Sequence, residues 1–273
     1  MNSTERILSL ASLTVLELAP PEMVEVAART GYSHVGLRLI PATEEERHFA
    51  LVADPDLRRQ TLRRLRDTGV GVLDIEILRL KPHTSCSDFE AVLEAGAEFG
   101  ASEVLVAGND PDDARLTDNF AELCDRAMVY GLHTHLEFMP WTDVPDLQKA
   151  VRIVGQTGRN SGGVLVDAFH FDRSGSRLDD LQQVEPSWLR YAQLCDVAGP
   201  RPADMAEILR QARNERRFPG DGDCDLSGLL RCLPANTALS LEVPNRQVAD
   251  PAQRAQMAID KARALLERLH LLA

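Results

Sequence analysis

Residues Gly163–His170 read GVLVDAFH, an apolar run that ends on a carboxylate and passes into an aromatic turn bearing a histidine. Three other segments repeat the form: THLEF at Thr134–Phe138, YAQLCD at Tyr191–Asp196 and ALSLEVP at Ala238–Pro244. Each sets one oxygen-bearing side chain (Glu137, Asp167, Gln193 or Glu242) at the close of a short β-type stretch. Short apolar runs suit parallel strands buried on both faces, and enzymes made of such strands carry their chemistry where strand gives way to loop. On either side of these segments, strand and helix signals alternate along the chain. The expected strands are ILSLASLTV, SHVGLRLI, VGVLDIEIL, SEVLVAG, LHTHLEF, GGVLVDAF, LRYAQLCD and TALSLEV. Amphipathic stretches separate them, among them PPEMVEVAART before Gly31 and DLRRQTLRRLRDT before Gly69, glycines that stop a helix. This alternation predicts an α/β protein, a single (β/α)8 barrel over residues 1–273, since such barrels take roughly 250 residues. A dinucleotide-binding open sheet is disfavoured because no G-x-G-x-x-G follows the first strand.

Composition narrows the function classes. The chain is 44% hydrophobic and 26% charged, with a formal net charge of -12. Such an excess of acid gains nothing from counterion release on a phosphate backbone, which argues against nucleic acid as a partner. No apolar stretch reaches the roughly 20 residues that span a bilayer, and MNSTERILSLASL lacks a secretion-signal pattern, so no membrane role is expected. Five cysteines without a C-x-x-C pair point to reduced thiols in a cytoplasmic setting. Cys195, beside Asp196 at a strand end, reads as a small buried hydrophobe or a reactive thiol. Schiff-base chemistry is unsupported, because Lys149 and Lys261 fall within helices and Lys81 lies beyond the third strand.

In a closed barrel Glu137, Asp167, Gln193 and Glu242 end consecutive strands, so their tips share one arc of the mouth. Any one of them alone reads as a solvated charge at a loop start. Three carboxylates together would repel one another unless a cation neutralised them. Oxygen donors of this kind suit one divalent ion, Mn2+, Mg2+ or Co2+.

The segments HLEFMPW, VDAFHFDRSG, YAQLCDV, ARNERRFPGDGD and LSLEVPN resemble the xylose isomerase-like TIM-barrel superfamily of sugar phosphate isomerases and epimerases. The resemblance spans nearly the whole chain, and the D-x-x-H step is its most specific local motif. It implies that the four strand-end residues ligate one metal and that Glu137 and Glu242 act as an acid/base pair. The third position is often histidine in the isomerases; Gln193 is similar to what some 3-dehydroshikimate dehydratases show. Barrels of this family often pair, which implies a homodimer.

Other residues take readings from their placement. His170, three residues past Asp167, suits proton transfer or donation to a substrate hydroxyl. His135 shares a strand face with Glu137 and is either a partner to the site or filling for the barrel. Glu76 and Arg38 sit at strand ends and serve substrate or a salt-bridged rim. Of Arg213, Arg216 and Arg217, Arg216 is the choice to hold a substrate carboxylate or hydroxyl, against a solvated helix-end charge. Trp141 and Phe169 line an apolar wall or pack in the core, and the polar loop PATEEERHFALVADP is long enough for a lid. The expected partner is a small hydroxy-carbonyl compound, unphosphorylated because no glycine-rich nest follows the last two strands. Isomerisation or epimerisation is the first reading; dehydration of the 3-dehydroshikimate or inosose type, with His170 as acid, is the alternative.

Overall fold

The computed structural model describes residues 6–272; residues 1–5, the start of the segment read above for a leader, lie outside that range. Eight parallel strands close a barrel in chain order. They are β1 (Leu8–Leu10), β2 (His34–Arg38), β3 (Gly71–Leu80), β4 (Glu103–Gly108), β5 (His133–Glu137), β6 (Gly162–Asp167), β7 (Tyr191–Leu194) and β8 (Ala238–Leu241). β8 returns to β1 with Ser240 level with Ser9, so no open edge remains. The first strand is shorter than its sequence suggested. ILSLASLTV contributes only Leu8–Leu10, and Ser12–Val15 form a 3-10 turn. The Ser12 hydroxyl donates to the Gly36 carbonyl at 2.8 Å and the Thr14 hydroxyl to the Leu241 carbonyl at 2.7 Å, bonds that draw the chain off the strand path.

The helices are α1 (Pro20–Thr30), α2 (Pro55–Thr68), α3 (Glu90–Phe99), α4 (Asp113–Val129), α5 (Leu147–Thr157), α6 (Ala168–Ser174), α7 (Leu178–Leu181), α8 (Met205–Asn214), α9 (Leu226–Cys232) and α10 (Pro251–Leu269). Aspartates start several of them. Asp54, Asp112, Asp204 and Asp250 each accept a backbone N–H of the first turn, satisfying donors that the helix leaves open. The main apolar core lies between the sheet and these helices, with Val104, Leu136, Val164, Leu194 and Leu241 facing Phe120, Ile153 and Ile259. Inside the barrel a smaller cluster, including Leu73, Leu105, Leu165 and Tyr191, fills the middle. No helix among the described residues is long and apolar enough to cross a membrane.

Beneath that cluster, an ion pair plugs the lower end. Glu103, at the start of β4, accepts from His135 Nε2 at 2.6 Å and from Arg190 Nη2 at 2.9 Å. Burial pushes the Glu103 carboxyl up, but His135 and Arg190 together outweigh burial and hold it below its ordinary range. His135 therefore fills the barrel: it is fully buried, edge-on to Tyr191 at 4.9 Å, and it does not reach the cavity at the mouth. Of its two readings, that of a partner to the site, in reach of substrate, is corrected here. It shares a face with Glu137, but two residues of strand, roughly 7 Å, separate the layers.

Candidate active site

The C-terminal ends of the strands open into a cavity of about 550 Å³, within the range that small-molecule sites occupy. Glu137 is the last residue of β5 and Asp167 the last of β6. Gln193 is level with Asp167 across the β6–β7 ladder, and Glu242 directly follows β8. All four are buried. Asp167 also starts α6: its Oδ1 accepts the His170 N–H at 2.9 Å, which fixes the carboxylate and turns the histidine inward. His170 Nε2 then lies 3.5 Å from Glu137 Oε1 and 4.0 Å from Asp167 Oδ1. Trp141 stands edge-on to the His170 ring at 5.0 Å and lines the cavity.

Arg216 reaches the centre from the segment after α8. Its Nη1 donates to Asp167 Oδ2 at 2.6 Å and its Nη2 lies 2.9 Å from Glu242 Oε2. Glu242 Oε1 in turn accepts from Gln193 Nε2 at 3.1 Å. The guanidinium takes one oxygen each from Asp167 and Glu242 and leaves Asp167 Oδ1 and Glu137 Oε1 facing His170. The remaining Gln193 oxygen, Oε1, is buried with no hydrogen-bond partner. Glu137, Asp167 and His170 each offer a ligand atom, all within 4.8 Å of one another. A partnerless buried amide oxygen beside that trio is the environment a divalent ion would complete, because orphaned buried acceptors otherwise cost free energy. The donor set fits a hard or borderline cation.

The electrostatics agree with that fit. Burial pushes the Glu137 carboxyl well up, and the charges of Glu242 and Asp167 add to the rise. Burial likewise lifts Glu242; Arg216 opposes and Asp167 adds, leaving it at about 7. His170 goes the other way, to about 4, through burial, with Asp167 opposing and Arg216 assisting, so its ring is neutral at pH 7. A carboxyl whose folded pKa exceeds its unfolded value stabilises the fold below the unfolded pKa, and that contribution is lost as pH rises through the folded pKa. For Glu242 the window runs from the ordinary glutamate value of roughly 4.3 to about 7. Chelator-treated protein is therefore expected to melt at a lower temperature at pH 8 than at pH 5.5, and added Mn2+ to narrow the gap. Scans showing a flat or rising trend after chelation would contradict it.

A second acid holds the arm that delivers Arg216. Asp196, just past β7, accepts from the backbone N–H groups of Val197, Gly220, Gly222 and Cys224 at 2.8–3.0 Å. Its backbone also exchanges two bonds of 2.8 Å with Arg217, and Asn245 Nδ2 donates to the Arg216 carbonyl at 2.9 Å. Gly222 is required by this packing: a Cβ there would stand 2.1 Å from the Val197 oxygen and 2.5 Å from Asp196 Oδ1. Gly222→Ala is expected to cost about 1–3 kcal/mol, the usual range for overpacking, read as a lower urea midpoint. An unchanged midpoint would contradict the clasp.

The other residues singled out from sequence divide. Glu76 and Arg38 line the cavity but face each other, Arg38 Nε to Glu76 Oε1 at 3.2 Å and Nη1 to Glu46 Oε1 at 3.0 Å. Glu46 belongs to the polar loop after β2, whose residues 42, 43 and 45–47 contribute to the cavity wall. Phe169 is buried behind Arg216, with its ring 5.1 Å from the guanidinium carbon. Cys195 is buried, 3.7 Å from Arg216 Nη1, and burial pushes its thiol well up, so it is no thiolate nucleophile. Arg79 was not anticipated. Counting by twos from Glu76 turns it away from the mouth, but the β3–β4 register shifts between Ile75 and Leu78, and Arg79 joins the cavity.

A sequence profile described as xylose isomerase-like TIM barrel matches residues 24–268. The 3-dehydroshikimate dehydratase of Pseudomonas aeruginosa is 30% identical over 178 residues, 62% of this chain and 27% of that protein. The inosose isomerase of Bacillus velezensis is 29% identical over 170 residues, 58% of this chain and 59% of that one. The matched segments thus span about a quarter of the first relative and somewhat under two thirds of the second. Among solved structures, the IolI protein with a binding zinc atom superimposes with a TM-score of 0.77 at 20% identity, covering 96% of this chain and 98% of that one. The probable dehydratase AsbF of Bacillus anthracis gives 0.75 at 13% identity, covering 94% and 98%.

Proposed function

The chain belongs to the xylose isomerase-like TIM-barrel family, and from that membership we propose a divalent-metal-dependent enzyme that moves a proton on a small polyhydroxylated carbonyl compound. The observation that carries the reading is the trio Glu137, Asp167 and His170, with ligand atoms within 4.8 Å, beside the partnerless oxygen of Gln193. In this proposal Glu137, Asp167, Gln193 and Glu242 hold the ion. Bound there, a divalent cation supplies the positive charge that acidifies a C–H bond next to a carbonyl.

The chain's own groups handle the proton. Glu137, whose affinity for protons is raised by burial, accepts it from the carbon beside the carbonyl. Glu242, held by Arg216 and Gln193, approaches from the other wall and returns a proton. His170, neutral and 3.5 Å from Glu137, donates to a substrate hydroxyl and orients it. Trp141 and Met139 line the cavity beside this group and keep water from it. Redelivery to the opposite face gives an epimer, and redelivery to the neighbouring carbon gives the aldose–ketose isomer.

A second reading, dehydration, is favoured by an amide rather than an imidazole at Gln193 and by the dehydratase relative. There the same first step is followed by loss of a β-hydroxyl, which leaves as water with a proton from the Glu242 carboxyl while the neutral His170 ring hydrogen-bonds to it. The deciding experiment incubates Mn2+-loaded protein in deuterated water with ketoses, inososes and 3-dehydroshikimate. Deuterium in an isomerised product, abolished by chelator, is expected. Metal-dependent enone formation without isomerised product selects dehydration, and no exchange with any compound retires the proposal.

A further inference from the structure

The wall of the cavity carries arginines that, among the described residues, pair with no carboxylate. We propose that Arg79, Arg213 and Arg246 form a subsite for a carboxylate, so that the compound this site accepts is a polyhydroxylated carbonyl acid. The inference rests on the reading above for the reacting end of the molecule and concerns the opposite end.

Charge matching comes first. The buried acids Glu137, Asp167 and Glu242 face Arg216 and, in the proposed holoprotein, one doubly charged ion, so the centre is neutral. Arg38 is taken by Glu76 and Glu46. Arg79, Arg213 and Arg246 line the same cavity, and among the described residues none of the three pairs with a carboxylate. Arg79 is half-buried; its Nη1 donates to Asn109 Oδ1 at 2.9 Å, and its Nε is buried without a partner. Arg213 and Arg246 are exposed at the rim, from the last turn of α8 and the segment after β8. Glu45, also exposed on the wall, is offset by Arg47 on the same loop.

Geometry and charge then select the ligand. Burial lowers the pKa of Arg79; Glu137 opposes, and the nearby charges of Arg38 and Arg213 push it down further. Guanidinium groups crowded in this way, one with an unused buried N–H, are stabilised by an anion arriving from outside. A planar guanidinium matches a carboxylate through two parallel hydrogen bonds. The bearing also fits the chemistry: the acid group is gripped near the rim while hydroxyl and carbonyl oxygens point to the strand ends. In a chain of net charge -12, positive charge on the cavity wall also draws an anionic compound toward the site.

The test is calorimetric and needs no turnover. The 273-residue chain, with Mn2+ and separately with EDTA, is titrated with quinate (a cyclic polyol acid), myo-inositol (a cyclic polyol without the acid) and a myo-inositol phosphate. Quinate is expected to bind at least about tenfold more tightly than myo-inositol, with and without metal. Arg79→Met and Arg213→Met should each weaken quinate by about tenfold while leaving myo-inositol and the Mn2+ titration unchanged. Arg79→Lys, which keeps the charge and loses the fork, should recover only part of the affinity. Equal binding of quinate and myo-inositol, no binding of quinate, or equal losses for both ligands in the variants overturns the subsite. Tighter binding of the inositol phosphate than of quinate overturns the carboxylate assignment in favour of a phosphate. Absence of Mn2+ binding in wild type strikes the metal-enzyme reading instead, and the EDTA arm still scores the arginines.

Discussion

Asp167→Asn is expected to reduce kcat/KM by about a hundred- to thousandfold, the scale on which removal of a group that stabilises developing charge is felt, while the protein stays folded. Asp167 serves three partners at once. Its Oδ1 accepts the His170 N–H at 2.9 Å, its Oδ2 takes the Arg216 guanidinium at 2.6 Å, and the carboxylate lies close to Glu137, a fellow member of the proposed ligand set. Asparagine has nearly the same shape but one acceptor fewer. Either its NH2 meets the Arg216 donors, or it faces the ion position and a ligand is lost. Mn2+ affinity, measured by titration calorimetry, should fall alongside activity. A variant that keeps both within a few fold of wild type would remove Asp167 from the proposed chemistry, and with it the strongest part of the functional reading.

Arg216→Met carries the largest expected effect on stability. The guanidinium is 2% exposed and bridges two buried carboxylates, Asp167 at 2.6 Å and Glu242 at 2.9 Å. Removing one partner of such an arrangement leaves charge buried without compensation, typically a loss of about 3–5 kcal/mol. The loss should depend on pH in a definite sense. Without Arg216, Glu242 loses the charge that opposes its rise, so its folded pKa climbs further and the damage grows as pH increases. Urea unfolding of wild type and variant at pH 5.5 and pH 8 measures this directly, and divalent ion should restore part of the deficit at the higher pH. A loss under about 1 kcal/mol at pH 8 would mean that the acids are solvated or protonated whatever Arg216 does.

The barrel and the position of its mouth were legible in the sequence because they depend on local repetition. Apolar runs between stop signals locate strands, and closure of eight of them follows from parallel pairing and crossover helices. Glu137, Asp167, Gln193 and Glu242 could be named for the same reason, each standing at the end of its own run. What escaped depends on contacts between distant segments. β1 stops at Leu10 because Ser12 and Thr14 find backbone partners on neighbouring strands. His135 keeps the face that strand periodicity gives it, yet Glu103, 32 residues away, holds it at the lower end of the barrel. Arg38 and Glu76 were each read for substrate or a salt-bridged rim, and no pattern in either segment indicates that they meet each other and Glu46. Arg79 was hidden by a register slip, which sequence alternation cannot show. Glycine spacing in FPGDGD marked a turn, but the four N–H groups that Asp196 gathers there come from tertiary folding.

The Glu103–His135–Arg190 plug has a consequence for how this scaffold diversifies. Because the base of the barrel is locked by its own charges, the rim segments that shape the cavity owe little to it for their support. The loop after β2 is then expected to tolerate exchange with that of other barrels, retuning selectivity while the foundation stays as it is, whereas the arm between α8 and β8 must keep its arginine to satisfy Asp167 and Glu242.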